Sequence, residues 1–590
     1  MPSAPSPAQT SGPWPLSFEP GQTVAQAVYL SGLVEPPSLC SGLGQCGKCR
    51  MRLYHSEEPQ MLVAEALAEG AFSVACLRFA PILPEDRDLF SEEDLAAGYR
   101  LACHHRAEKG LVACLPPSVR LLLPPLSPCA DPCESTALRG ASLKEGVLAV
   151  DLGTTSVQWA LLVKDSATGR GGPFDSGSLV NPQAGAGSDV VSRLAFAAQP
   201  QGAETLARLT RAMLARLVDN ALQRKVRVQA IVLAANPAMT AITLGYDTQS
   251  LATAPYSLPF AGGMETRIEE LPPILIPAPV SPFVGGDIAA GYAAIHADYR
   301  THFPFLLADL GTNGEFLLAV NEQEAYAASV ALGPALEGIG LTFGTAAVEG
   351  AITGYALTPH GLVPQWFSSP EHLQGAIAPE GVTGIAGTGY LSLLGILRKT
   401  GIMQADGHLI SGSHILSKAQ ERYLEELTKG LSRSRETAGT NLRSSSLPDT
   451  PYFALPHGMY LSARDVEELQ KVKAAFSMGL ECLLARARLP WSAVNNIYLA
   501  GAMGVHVDMQ ALCTLGFLPD DLTTASKVRA VGNTALKGAM LLAEEVLLQG
   551  ERAGEKMLAH WAATVRSVNL AEDPAFQTGF IRHMVFGSPK

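Results

Sequence analysis

From residue 146 onward the chain alternates short apolar runs with tight polar turns, the pattern of buried strands. Val147-Leu148-Ala149-Val150 leads through Asp151-Leu152-Gly153-Thr154-Thr155-Ser156 into Val157-Gln158-Trp159-Ala160-Leu161-Leu162, which predicts a hairpin. Phe305-Leu306-Leu307-Ala308-Asp309-Leu310-Gly311-Thr312-Asn313-Gly314-Glu315-Phe316-Leu317-Leu318 repeats that design. Ile497-Tyr498-Leu499-Ala500 is a third strand, ending on Gly501-Ala502-Met503-Gly504. Apolar spacing over 466–476 predicts a helix beneath that strand. Ahead of residue 146, 16–23 reads as a strand and turn, with Thr23 N-capping a helix over 24–30. Residues 57–98 read as a helical insertion, with one helix over 61–67 and another capped by Ser91 and Asp94; its acidity reads as a solvated face. Residues 110–116 read as a strand. The Pro/Ser-rich residues 1–14 are expected to be disordered, 116–145 to be a Pro-rich linker, and 430–450 to be a polar surface loop.

Composition narrows the class. A chain of 590 residues, 47% hydrophobic and 17% charged, has room for several globular domains. A net charge of −12 with no basic run argues against a nucleic-acid partner. The lack of an apolar stretch of about 20 residues argues against a membrane span. The first residues lack the basic start and apolar run of a signal peptide, so the expected compartment is the cytoplasm. Most of the ten cysteines fall in 40–133, which reads as cofactor chemistry in a reducing compartment. Cys129 and Cys133, in the linker, read as ordinary thiols.

The densest chemistry is Cys40-Ser41-Gly42-Leu43-Gly44-Gln45-Cys46-Gly47-Lys48-Cys49. Thiolates this close select zinc or iron–sulfur. A loop that turns its N–H groups toward sulfur needs residues at positive φ, which glycine supplies without steric cost. Structural zinc sites pair two such units or add histidines; here one unit stands near His104 and His105. The loop resembles the [2Fe–2S] loop of ferredoxins, with five residues between the first two cysteines. The fourth ligand is either Cys76 or Cys103. The resemblance favours Cys103, because Arg100-Leu101-Ala102-Cys103 ahead of a closing strand is similar to that family's ending.

The hairpins suit a polyphosphate. Glycine admits the backbone to the phosphates, hydroxyls and N–H groups donate to their oxygens, and aspartate holds Mg²⁺. Two such hairpins and a late glycine turn, in that order, resemble the ATP-binding core shared by actin, sugar kinases and Hsp70 chaperones. A ferredoxin-like domain joined to that core resembles the reductive activators of corrinoid proteins. Further matching stretches are Asn181-Pro182-Gln183, Asn236 with Met239, Phe283-Val284-Gly285-Gly286-Asp287, Gly333-Pro334-Ala335-Leu336-Glu337-Gly338, Arg464-Asp465 and Val531-Gly532-Asn533-Thr534-Ala535. The family's late turn is usually Gly-Gly-Phe-Gly. Its loop at 384–389 usually carries a cysteine, absent here, and a serine where Thr388 stands.

The fold class this implies is multidomain, α+β and α/β. A β-grasp [2Fe–2S] ferredoxin domain spans 15–115. After the linker comes a ribonuclease-H-like, two-lobed ATPase, with a middle region over 146–230 and the ATPase domain over 231–590. Cys40, Cys46, Cys49 and Cys103 would hold the cluster. Asp151, Gly153, Thr154 and Thr155, with Asp309, Gly311, Thr312 and Asn313, would bind Mg²⁺ and the phosphates of ATP. Gly501 and Gly504 would face adenosine, Glu315 and Glu337 would position water, and Thr388 would act toward cobalt or phosphate. The function implied is ATP-dependent transfer of one electron to Co(II) of a corrinoid protein, regenerating Co(I). Plant-type [2Fe–2S] centres lie near −400 mV. Each ~59 mV of uphill transfer costs tenfold, so a deficit of ~200 mV lies within the reach of an ATP cycle. The electron donor would be a reduced ferredoxin or a flavoprotein, and the sequence allows a homodimer. Two other readings stay open: an electron injector for a non-corrinoid enzyme, and a non-catalytic nucleotide-gated redox sensor.

Overall fold

The computed structural model describes residues 13–37, 42, 44, 47–64, 78–116, 119, 143–164, 171–299, 302–311, 313–332, 335, 340–345, 347, 350–358, 361–367, 382–409, 452–501, 507–519 and 527–587. Cys40, Cys46, Cys76, Thr312, Glu337 and Gly504 lie outside these residues. So do nearly all of the linker with Cys129 and Cys133, the loop 430–450, and 1–12. The chain divides into two compact units. One is Met1–Ala141 with Val180–Arg216 and Arg443–Ser446; the other is Ser142–Leu179 with Leu217–Leu442 and Leu447–Lys590. No helix among the described residues is long and apolar enough to cross a membrane.

The first unit is built on a mixed sheet. Its strands are β1 (Trp14–Leu16), β2 (Arg50–His55), β3 (Met61–Ala64), β4 (Arg78–Phe79), β5 (Tyr99–Leu101) and β6 (Leu111–Cys114). They run in the order β1-β3-β6-β2-β4, with β5 also on β2. The helix Val24–Tyr29 contributes its buried Val24, Ala25, Val28 and Tyr29 to the core beneath the sheet. Thr23 and Gln26 close its N-terminus as a capping box: Gln26 N–H donates to Thr23 Oγ1 (3.2 Å) and Thr23 N–H to Gln26 Oε1 (3.0 Å).

One expected helix is corrected. Residues 61–64 form strand β3, with all four side chains buried. Val63 pairs with Trp14 on one side and Ala113 on the other. Those two ladders satisfy its backbone and outweigh the helix preference of Met, Leu and Ala. The helices of the 57–98 segment are Pro84–Leu89 and Glu92–Ala96, the second capped by Ser91, which accepts from Asp94 N–H at 3.1 Å. Val180–Arg216 also belongs to this unit. Arg208 donates to Leu30 O and Arg216 to Gly32 O, both at 3.2 Å, and Gly185 leaves no room for a Cβ against Tyr29.

The second unit repeats one topology twice. β7 (Lys144–Leu152), β8 (Ser156–Lys164), β9 (Gly171–Val180), β10 (Val226–Ala235), β11 (Met264–Thr266) and β12 (Ile274–Ile276) stand in the order β11-β12-β10-β7-β8-β9. β7 and β8 form the expected hairpin, and β10 and β12 add in parallel. β13 (Phe305–Leu310), β14 (Gly314–Asn321) and β15 (Glu324–Val330) form an antiparallel meander. β21 (Asn496–Ala500) and β22 (Val528–Gly532) add to it in parallel, and β23 (Val565–Ser567) closes the far edge.

Two helices fill the space between these sheets. Gly286–Tyr299 packs its small face (Ala289, Ala290, Ala293) on the first sheet and its large face (Ile288, Tyr292, Ile295) on the second. Thr534–Gln549 crosses it so closely that a Cβ on Gly538 would lie 2.0 Å from Ala290 O. The helix expected over 466–476 is longer, Ala463–Ala487, and its Phe476 meets Phe316 of β14 edge-on at 5.0 Å.

Candidate functional site

The two Asp-Leu-Gly-Thr hairpins line a cleft of about 380 Å³ in the second unit. Asp151, Gly153, Thr154 and Thr155 come from the β7–β8 turn; Asp309, Gly311, Asn313 and Glu315 come from the β13–β14 turn. Asp309 and Glu315 are directly opposite across the second hairpin. Thr388 and Gly501 line the same cleft, so ten residues singled out from the sequence come together. Gly501 sits at φ 82°, and a Cβ there would lie 2.6 Å from Asp309 Oδ1.

Four other residues contribute: Asp287, Asn236 and Asn533, which the sequence offered only within stretches resembling the family and without a role, and Thr345, which it did not single out. Three of them sit at helix starts. Asn533 N-caps Thr534–Gln549, taking Leu536 N–H on Oδ1 (2.7 Å), while its Nδ2 donates to Asp151 Oδ2 (2.6 Å). Asn236 caps Pro237–Leu244 and donates to Thr154 Oγ1 (3.2 Å). Asp287 opens Gly286–Tyr299 and accepts from Ile288 N–H (2.9 Å). The Gly387–Lys399 helix also begins on the cleft wall, at Thr388. An asparagine before a helix, and Gly-Gly-Asp opening one, were the available signals.

The electrostatics are of two kinds. Helix N-termini present partial positive charge and unpaired N–H groups, which suit phosphate. Against them stand four carboxyls. Burial, then the charges of Asp151 and Asp287, push Asp309 up to about 8. Burial raises Asp151 to about 7 against the opposing Asn533 hydrogen bond, with the charge of Asp287 adding to the rise. Burial raises Asp287 to about 6 even though the Ile288 N–H opposes it. Glu315 is held well above the usual range by burial and then by the three aspartates.

Carboxyls crowded this way are matched by a divalent cation. The hydroxyls of Thr345 and Thr388 are buried with no hydrogen-bond partner, which leaves two donors for phosphate oxygens. The residues present therefore fit Mg²⁺ with a nucleoside polyphosphate.

In the first unit, β2 and β5 pair with Arg50 opposite Leu101, and Ala102 N–H donates to Cys49 O (3.2 Å). That register places Cys49 and Cys103 at one end of the strand pair. Gly42, Gly44 and Gly47 of the cysteine loop lie at φ 82°, 68° and 66°, backbone that L side chains rarely adopt. The turn after β5 is braced by Asp86, which is fully buried. It accepts from Leu101 N–H (2.7 Å) and Leu83 N–H (2.9 Å), and pairs with His105 Nε2 (2.9 Å). Burial pushes its carboxyl up, but these bonds outweigh burial and hold it below the usual range. Two soft sulfur donors, one of them at the end of a glycine-rich loop, fit an iron–sulfur group.

Known proteins match the chain from residue 146 onward. Residues 146–299 match the family profile of the RACo middle region, and residues 304–589 match that of the C-terminal domain of RACo, the ASKHA domain. The corrinoid activation enzyme RamQ of Eubacterium limosum is 27% identical over 474 residues, 75% of this chain and 70% of that protein. The [Co(II) methylated amine-specific corrinoid protein] reductase of Methanosarcina barkeri is 24% identical over 323 residues, 52% of this chain and 50% of that protein. The solved structure of a reductive activator for a corrinoid, iron–sulfur protein shares the fold over 97% of both chains, with TM-score 0.58 at 20% identity. With two adjoining profiles of one family covering the chain from 146 to 589, and a second unit that repeats one nucleotide-clasping topology, the chain belongs to the RACo family of reductive activators of corrinoid proteins.

Proposed function

We propose that this protein uses ATP to drive one electron from a [2Fe–2S] cluster onto Co(II) of a corrinoid protein, regenerating Co(I). The observation that carries the reading is the cleft: two facing Asp-Leu-Gly-Thr hairpins, four crowded carboxyls and several helix N-termini in one chain with a glycine–cysteine loop. Asp151 and Asp309 hold the cation that accompanies ATP. Gly153, Thr154, Thr155, Gly311, Thr312 and Asn313 donate to phosphate oxygens, and Gly501, with Gly504, keeps the adenosine side free of side chains. Glu315, basic and buried, accepts a proton from the attacking water beside the Asp287 carboxyl, and Glu337 is the second glutamate proposed to position that water. Thr388 donates to phosphate from its helix start.

The first unit is proposed as a ferredoxin-like domain in which Cys40, Cys46, Cys49 and Cys103 hold the cluster. When bound, the cluster would supply a one-electron carrier and Mg²⁺ would supply positive charge that offsets that of the phosphates. The chain's own part is differential binding: it must dock the corrinoid partner differently before and after hydrolysis for ATP to shift the electron-transfer equilibrium. A reduced ferredoxin or flavoprotein of the cytoplasm would refill it.

The test is anaerobic. Protein with iron and sulfide restored is mixed with a Co(II) corrinoid protein and reductant, with and without Mg-ATP, and followed by EPR and visible absorbance. A rhombic [2Fe–2S] signal and ATP-dependent growth of Co(I) are expected. Cobalt reduction that ignores ATP, or zinc in place of iron, overturns the reading.

A further inference from the structure

Two helix caps grip the turn of the first hairpin, β7–β8. Asn533 and Asn236 each hold a helix start with the amide oxygen and a side chain of that turn with the amide nitrogen. In Asn533, Oδ1 accepts from Leu536 N–H (2.7 Å) and Nδ2 donates to Asp151 Oδ2 (2.6 Å). In Asn236, Oδ1 accepts from Met239 N–H (2.9 Å) and Nδ2 donates to Thr154 Oγ1 (3.2 Å). The cap settles which way each amide points. A backbone N–H can be accepted only by the amide oxygen, so the nitrogen is the atom that faces the hairpin.

Asn533 is itself held in place. β22 ends on Gly532 at φ 72°, and the chain turns there into the cap. Lys537 Nζ donates to Val531 O (2.8 Å), which ties the first turn of Thr534–Gln549 back to β22. Just beyond it, Gly538 packs so closely on Ala290 of the helix Gly286–Tyr299 that no Cβ fits. An amide fixed this way keeps Oδ2 of Asp151 engaged. Oδ1 is then the stronger of the two donors toward a cation.

Cations differ in how they use a carboxylate. Ca²⁺ takes roughly six to eight oxygens at about 2.3–2.6 Å and accepts both oxygens of one carboxylate. Mg²⁺ demands an octahedron at about 2.0–2.1 Å and takes single oxygens beside waters and phosphates. From this geometry we infer that Asn533 is a positioning residue that makes Asp151 a one-oxygen ligand and so favours Mg²⁺ over Ca²⁺ beside the nucleotide. The inference rests on the proposed role of Asp151 in holding the cation of ATP.

The test uses the full chain in three forms: wild type, Asn533→Ser and Asn533→Ala. Serine keeps a hydroxyl oxygen to cap Leu536 N–H but has no amide to reach Asp151; alanine loses both bonds. Affinity for a labelled, non-hydrolysable ATP analogue is read by equilibrium dialysis, once with Mg²⁺ and once with Ca²⁺, so that turnover plays no part. Wild type is expected to bind more tightly with Mg²⁺. Both variants are expected to lose affinity about tenfold with Mg²⁺ and distinctly less with Ca²⁺, which narrows the preference. A wild type that binds equally well with either cation overturns the inference. So does Asn533→Ser with wild-type affinity in Mg²⁺, which would leave Asn533 a helix cap alone. Equal losses with both cations overturn it too, since Asn533 would then support the cleft without selecting its ion. Wild-type binding that ignores divalent cations altogether instead overturns the role of Asp151, and that is seen before any variant is made.

Discussion

The residues that decide the chemistry of the cleft are carboxyls placed where carboxyls are least comfortable. Burial raises Asp287 to about 6, Asp151 to about 7 and Asp309 to about 8, against ~3.9 in an unfolded chain. The metal-free folded protein thus binds more protons than the unfolded chain across this range. The stability these groups contribute is complete below pH ~4 and is lost as pH rises through 6 to 8. In chelator, the melting temperature of the second unit should fall between pH 6 and pH 8.5, and Mg-ATP should abolish most of the fall. A flat or rising profile in chelator would refute the crowding. At single positions, Asp309→Asn should cut ATP turnover by at least ~100-fold. Gly501→Ala should weaken nucleotide binding, because its Cβ would meet Asp309 Oδ1 at 2.6 Å and its φ of 82° disfavours any side chain. Equilibrium dialysis with labelled ATP reads both binding and its loss.

At the level of elements, the acidic helix Pro84–Leu89 shows what pattern reading can and cannot reach. Its acidity reads as a solvated face, and Glu85 and Asp88 are indeed exposed. Asp86 is not: it is fully buried, accepting two backbone N–H bonds and pairing with His105. Replacing it with asparagine swaps a charged acceptor for a neutral one and should cost about 2 kcal/mol, read as a lower denaturation midpoint of the first unit. A midpoint equal to wild type would show that the brace carries no load.

The hairpins were legible because an Asp-Leu-Gly-Thr turn between apolar runs is a local signal, and both hairpins stand where the spacing puts them. Strand β3 was not legible. Met61-Leu62-Val63-Ala64 is apolar at every position, and only its two neighbours in the sheet decide for strand over helix. Asp287, Asn236 and Asn533 were visible as helix starts, but nothing local says that those starts converge on one cleft.

For the whole molecule, the decisive question is whether two compact units with separate cores act as one device. Each core is closed by its own side chains, so damage to one site should leave the other intact. Cys103→Ser should abolish the [2Fe–2S] signal while keeping wild-type affinity for Mg-ATP. Asp309→Asn should keep the signal while losing ATP turnover. Neither variant should drive a corrinoid protein to Co(I). Mixing the two purified variants sharpens the point, because the mixture holds an intact cluster site and an intact nucleotide site, but on different chains. If hydrolysis acts by changing how this chain presents its own cluster to cobalt, the mixture should form no more Co(I) than either variant alone. Recovery of Co(I) in the mixture would mean that the electron and the ATP need not be handled by the same chain, and coupling within one chain would have to be given up.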